Sequence, residues 1–309
     1  MRVHRTPDER FAGLEDWPHE PRYVEWQGLR VHHVDVAPST EPAGTTALFV
    51  HGEPTWAYMW RRVIDRFSAA GIRCVAFDHI GFGRSDKVLD DDWYTIERHC
   101  EVARHVLDEL DLRDVMLVAH DWGGPIGLRL AVDQPERFSR LVVLNTWLHH
   151  EGMVYGEGWR QWRELATGFE PETGDLPVGD VLGLARARPI QDPGALKAAY
   201  EAPFDTVESK AGARRFPWLL PWAQPQEGNA AEQQRCHEAL CAWSHTPIHL
   251  VWPDVDPIFE LEWGRRWAEM LPGGTTLDVI SSASHFVAEE AGDEVADVVL
   301  RRMSQRPAG

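Results

Sequence analysis

Basic residues are scarce in this sequence: 31 Lys and Arg stand against 49 Asp and Glu, a formal net charge of −18. So acidic a surface repels nucleic acid and anionic membrane alike, and suits a small neutral substrate better. Long apolar runs are also lacking, since no stretch approaches the roughly 20 residues that cross a bilayer. The opening residues, Met1-Arg2-Val3-His4-Arg5-Thr6-Pro7-Asp8, hold no apolar signal core, so the expected location is the cytoplasm. Cysteine is sparse as well. Cys74, Cys100, Cys236 and Cys241 lie in apolar or helical contexts without close metal-type pairing, which suits buried reduced thiols rather than a disulfide framework. Histidine is plentiful at 15 residues. Its adjacent pairs, His32-His33 and His149-His150, diverge on any strand or helix, and no carboxylate–histidine spacing of the zinc type is present. Packing or surface roles are expected for them, with no metal and no cofactor.

The 309 residues fit one α/β unit with an insertion, and disorder is expected only at the two ends. Tyr23-Val24-Glu25-Trp26 and Leu29-Arg30-Val31-His32-His33-Val34 flank a Gln27-Gly28 turn, the pattern of an antiparallel hairpin at a sheet edge. Short apolar runs follow at 46–50, 74–77, 115–119 and 141–144, each reading as a strand buried on both faces, and 248–252 and 276–280 supply two more strands. Helical segments at 56–70, 95–110 and 261–271 alternate with them, which implies a mostly parallel sheet of about eight strands. Between 148 and 225 the alternation stops. Gly, Pro and short helical pieces such as 194–201 replace it, yet Trp159, Trp162, Phe169, Phe204, Phe216, Trp218 and Trp222 make the segment too aromatic for disorder. The expected organisation is therefore a core over 1–147 and 226–309 and a helical cap over 148–225.

Val118-Ala119-His120-Asp121-Trp122-Gly123-Gly124 follows a buried strand and precedes a helix, the setting of the nucleophile elbow of α/β-hydrolases. The tight turn needs small residues two positions either side of the nucleophile, where Ala119 and Gly123 stand. Asp121 then holds the nucleophile's place, although aspartate there also serves as a helix N-cap. Two further features favour chemistry: His285, in a loop just past the last strand, and an acid past the strand before it, either Asp256 or Asp254. A carboxylate is ionised at neutral pH and attacks without a base, so the histidine is free to activate water in a second step. The oxyanion of that step needs donors, and the fold supplies the backbone N–H groups of Trp122 and of Glu53 in the loop after the third strand. The Glu53 side chain either holds the hydrolytic water or forms a salt bridge.

His51-Gly52-Glu53-Pro54-Thr55-Trp56, Asp78-His79-Ile80-Gly81-Phe82-Gly83-Arg84-Ser85-Asp86-Lys87, His120-Asp121-Trp122-Gly123-Gly124 and Ser284-His285-Phe286-Val287 together resemble the haloalkane dehalogenases, over nearly the whole chain. Arg5-Thr6-Pro7-Asp8-Glu9-Arg10-Phe11 looks like the opening of the subgroup whose triad acid follows the later strand, which implies Asp256; the position used by the other subgroup holds only Leu144-Asn145-Thr146. The resemblance implies an α/β-hydrolase fold with eight mostly parallel strands and a cap, and dehalogenation of small haloalkanes through an alkyl ester on Asp121. It also implies two tryptophans that bind the departing halide. An indole N–H suits this, being a donor with no competing acceptor. Trp122 matches the first by its place after the nucleophile, and Trp162 matches the cap-derived second, with Trp159 as its rival. Trp56, Phe169 and Pro217 are expected to shape the pocket.

An epoxide hydrolase is the nearest rival, with the same Asp-His-Asp set but two cap tyrosines in place of the tryptophans, and Tyr155 and Tyr200 lie in the right region. A non-catalytic protein of the same fold is the second. The expected partners are a small halogenated hydrocarbon and water, and the expected assembly is a monomer.

Overall fold

The structure, a computed structural model, describes residues 1–170 and 172–305. Its centre is an eight-stranded sheet in the order β10-β9-β8-β7-β4-β5-β3-β2. The hairpin forms as the sequence implies: β2 (Arg22–Trp26) and β3 (Leu29–Val36) pair antiparallel at one edge. Gln27 and Gly28 both take positive φ, 50° and 81°, as a two-residue turn matched to strand twist requires. β3 runs antiparallel to β5 (Arg73–Phe77), and every later pairing is parallel. These strands are β4 (Thr46–Val50), β7 (Val115–His120), β8 (Phe138–Leu144), β9 (Ile248–Pro253) and β10 (Thr276–Ile280). Every residue of β4, β7 and β9 is buried, the reason their sequences run apolar without alternation.

Helices cover both faces. α1 (Arg61–Ala69) packs on α10 (Val287–Ser304), while α3 (Gly123–Asp133) packs between α2 (Ile96–Glu109) and α8 (Ala230–Cys241). The Thr95 hydroxyl caps α2 by accepting from Arg98 N–H at 3.3 Å. α9 (Leu261–Met270) links β9 to β10. The helix expected over 56–70 divides into a 3-10 turn, Ala57–Trp60, and then α1. Strand order turns about β4, with β5 on one side and β7 on the other, so the carboxyl ends of β4 and β7 open a crevice at the place where open α/β sheets bind ligands.

Residues 148–225 hold α4 (Glu157–Thr167), α5 (Val178–Leu184), α6 (Pro193–Glu201), the short α7 (Ala211–Arg215) and 3-10 turns. One expectation fails at the amino end, which is ordered. β1 (Val3–His4) pairs with β6 (Lys87–Val88), and Arg5 forms a bidentate ion pair with Asp86. Thr6 Oγ1 donates to Pro203 O, and Arg10 donates to the carbonyls of Glu201, Ala202 and Phe204, satisfying the end of α6. The disorder expected at the carboxyl end falls on 306–309, outside the described residues. No described helix is long and apolar enough to cross a membrane, and no described cluster of His, Cys, Asp and Glu is arranged for a metal ion.

Candidate active site

Asp121 sits one residue past β7 with φ of 52°, a left-handed conformation that non-glycine residues adopt only when their surroundings force it. The forcing groups are visible. A Cβ on Gly123 would collide with the carbonyl of Val50, and one on Gly52 with the Asp121 side chain, so β4 and its loop close on the turn from both sides. Asp121 is not the cap of α3: Trp122 holds the N-cap position, and Asp121 Oδ1 instead accepts from Glu53 N–H at 2.9 Å.

His285 enters from the loop between β10 and α10. Its Nε2 lies 3.7 Å from Asp121 Oδ2, and its Nδ1 lies 3.2 Å from Asp256 Oδ2. Asp256, and not Asp254, faces the imidazole; Asp254 is exposed and accepts from Ser282 N–H. Asp256 receives three donors in all, the others being Asn145 Nδ2 at 2.7 Å and Ile258 N–H at 2.8 Å. Asn145 and His120 also both donate to the His285 carbonyl, at 2.7 and 2.8 Å. Neither stands out in the sequence. His120 reads there as part of the elbow and Asn145 only as a position without a carboxylate.

Burial divides the charges of the site. It raises Asp121 to about 6, against the pull of His285 and the backbone N–H groups of Trp122 and Glu53. Glu53 is pushed well above the usual carboxylate range, by burial first and then by Asp121, and its Oε1 has no partner. The salt-bridge reading of Glu53 therefore fails among the described residues, since no basic side chain pairs with it and burial beside Asp121 favours its neutral form. Asp256 is lowered, since His285, Asn145 and Ile258 N–H outweigh its burial. His285 is raised because Asp256 and Asp121 together outweigh the burial that would lower it.

A cavity of about 280 Å³ joins these groups to residues between 158 and 220. Glu53, Asp121, Trp122, Trp162 and His285 all line it, and Asp256 stands behind His285. The rest is mainly apolar, with Trp159, Leu165, Val181, Leu184, Pro217, Leu220, Ile258 and Phe286. Trp122 packs edge-on against Trp147 at 4.6 Å. Trp159 is buried against Trp147, Phe259 and Tyr155, and its N–H has no partner; Trp162 is half-buried. Pro217 lines the cavity as expected, but Trp56 and Phe169 do not. Trp56 turns away to donate its indole N–H to Ala199 O, an interaction that no local pattern announces. Tyr155 and Tyr200 are also absent from the lining: their hydroxyls bond His149 Nδ1 and Glu289.

Residues 47–173 match the family model described as alpha/beta hydrolase fold. The haloalkane dehalogenase of Psychrobacter cryohalolentis is 35% identical over 315 residues, spanning 99% of this chain and 100% of its own. That of Mycolicibacterium paratuberculosis is also 35% identical, with 97% and 98% covered. Among solved structures, the tetrameric haloalkane dehalogenase DpaA of Paraglaciecola agarilytica superposes with a TM-score of 0.89 at 31% identity, covering 99% of this chain and 100% of that one. With its elbow, its Asp121–His285–Asp256 alignment and relatives matched end to end, the chain belongs to the haloalkane dehalogenase family.

Proposed function

We infer that the protein hydrolyses small haloalkanes to alcohol, halide and a proton. The observation that carries this is an ionisable carboxylate, Asp121, placed with Trp122 in the floor of a largely apolar cavity. Oδ1 is held by Glu53 N–H, so Oδ2 is the oxygen free to attack. It displaces the halogen from the substrate carbon; the C–O bond forms as the carbon–halogen bond breaks, and the halide leaves with the electron pair toward the indole N–H groups of Trp122 and Trp162. We assign Trp162 ahead of Trp159 because it follows the family spacing and is less enclosed by other aromatic rings.

In the second step His285 Nε2 takes a proton from water, whose oxygen adds to the ester carbon of Asp121. The oxyanion is held by the N–H groups of Glu53 and Trp122, and Asp256 balances the imidazolium. Collapse releases the alcohol, restores the carboxylate and leaves one proton on His285 for solvent. Residues 148–225 act as the cap that supplies Trp162 and keeps the site dry, over a core of 1–147 and 226–309.

Halide release from 1-bromobutane, measured beside diol formation from styrene oxide, tests the reaction class; diol without halide would make it an epoxide hydrolase. The His285→Gln variant is expected to accumulate an alkyl ester on Asp121, visible by intact mass. Folded variant without adduct would refute the two-step scheme. A cytoplasmic location and a monomer complete the reading, and light scattering on the purified chain distinguishes the monomer from a tetramer like that of its relative.

A further inference from the structure

Glu290 lies in the first turn of α10, five residues past His285, and is nearly fully buried. Its carboxylate bonds in two directions. Oε1 accepts from Ser284 N–H at 3.1 Å, the peptide next to the His285 residue itself. Oε2 accepts from Ala187 N–H at 3.1 Å and Arg188 N–H at 2.9 Å, in the loop that follows α5. The Arg188 side chain repeats the connection in reverse, donating to Ser281 O at 2.8 Å and Ser282 O at 3.2 Å in the His285 loop. Leu184 and Ala185, just before Ala187, line the same cavity as His285. Two surface segments that share no secondary structure are thus joined through one buried carboxylate, and α10 loses helical geometry at the next residue, Ala291, with φ of −141°.

We propose that Glu290 is a positioning residue for ester hydrolysis, coupling the 185–188 loop of the cap segment to the placement of His285. The proposal rests on the reading of His285 as the base of the second step. Three N–H donors on two carboxylate oxygens leave no room for a donor in return, and that is what makes the residue specific. An amide of the same shape has one acceptor. Turned toward the paired N–H groups of Ala187 and Arg188, it presents its NH2 to Ser284 N–H, and the His285 loop is the side that gives way. Asp121 is held by β7, α3 and Glu53 instead, so the first step is spared.

Glu290→Gln and Arg188→Gln are compared with the parent by rapid-quench intact mass on 1-bromobutane, which separates ester formation from its hydrolysis. Glu290→Gln is expected to slow ester hydrolysis about tenfold, because displacing a catalytic group by a fraction of an ångström to 1 Å costs up to about a hundredfold. Ester formation stays within about twofold, so the alkyl enzyme builds up in steady state. Arg188→Gln shifts the same step by a smaller factor, and it decides the matter if Glu290→Gln does not fold. Equal slowing of both steps, as general loosening of the fold would give, or no slowing of either, overturns the proposal. His285→Gln run alongside separates the two failures: absence of its adduct overturns the base assignment and this proposal with it, whereas a normal adduct with unsplit Glu290→Gln kinetics removes the role of Glu290 alone.

Discussion

Replacing Glu289 with Gln would disturb a buried ion pair, Arg61–Glu289, on which residues 148–225 rest through the Tyr200 hydroxyl. Arg61 of α1 places both Nη groups on Glu289, at 2.5 and 2.7 Å, and the Tyr200 hydroxyl of α6 donates to the same carboxylate at 2.7 Å. All three side chains are buried, and the Arg61 guanidinium also lies 4.0 Å from the Tyr58 ring. A guanidinium stays protonated in proteins, so Arg61 keeps its charge when the partner is neutralised. Breaking a buried pair at one end costs about 3–5 kcal/mol, and because Gln retains one acceptor the lower figure, about 3 kcal/mol, is expected. With unfolding entropy near 2.1 cal/mol/K per residue, a chain of 309 residues gives about 0.65 kcal/mol/K, hence a fall in Tm of about 5 °C. Calorimetry on Glu289→Gln, Tyr200→Phe and the double variant supplies the test. Tyr200→Phe should cost less alone, and less again when Glu289 is already neutral. A Tm within about 1 °C of the parent, or strictly additive losses, would refute the coupling.

Four further outcomes follow from the site. Asp256→Asn leaves three donors facing an amide with a single acceptor and removes the charge beside His285, so single-turnover ester hydrolysis should fall about 10²–10³-fold while ester formation changes little; equal loss in both steps would count against Asp256 as partner of the base. Ester formation needs ionised Asp121, whose pKa is raised to about 6, so its rate should be full above that value and fall as pH drops through it. Esterification then removes the Asp121 charge, one of the groups that raise His285, so the acid limb of ester hydrolysis should lie below the His285 pKa of the free protein; a limb at or above it would refute this. Trp162→Phe should weaken chloride binding, read by fluorescence quenching, at least about tenfold from loss of a charge-assisted hydrogen bond, and Trp159→Phe far less; the reverse order would transfer the role to Trp159.

What the sequence made legible was what repeats locally. Strands 46–50, 115–119 and 248–252 were readable because a sheet covered on both faces leaves apolar runs, and Gln27-Gly28 because its turn tolerates few residues. The elbow was readable because a strained backbone admits only small neighbours. The two-residue strands β1 and β6 have no period to detect, and they pair across more than 80 positions. His120 and Asn145 reach the His285 carbonyl across 165 and 140 residues, and side chain–backbone bonds of that range leave no trace in either segment. Trp56 shows the opposite failure. It stands in a recognisable motif, yet its one polar atom is used by α6 and not by the cavity.

The amino-terminal segment has a consequence for traffic through the cavity. Residues 148–225 are sewn down at separated points: by Thr6 and Arg10 at the end of α6, by Tyr200 on Glu289, and by Ala187 and Arg188 on Glu290. A flap stitched at that many places does not swing as a door. Leu165 and Leu184 line the cavity and are 52% and 76% exposed, and exposed rotamers turn in picoseconds to nanoseconds rather than the microseconds to milliseconds of a domain hinge. Exchange of small molecules with the cavity is therefore expected to depend on the bulk of the side chains at 165 and 184 rather than on the rate at which a lid lifts.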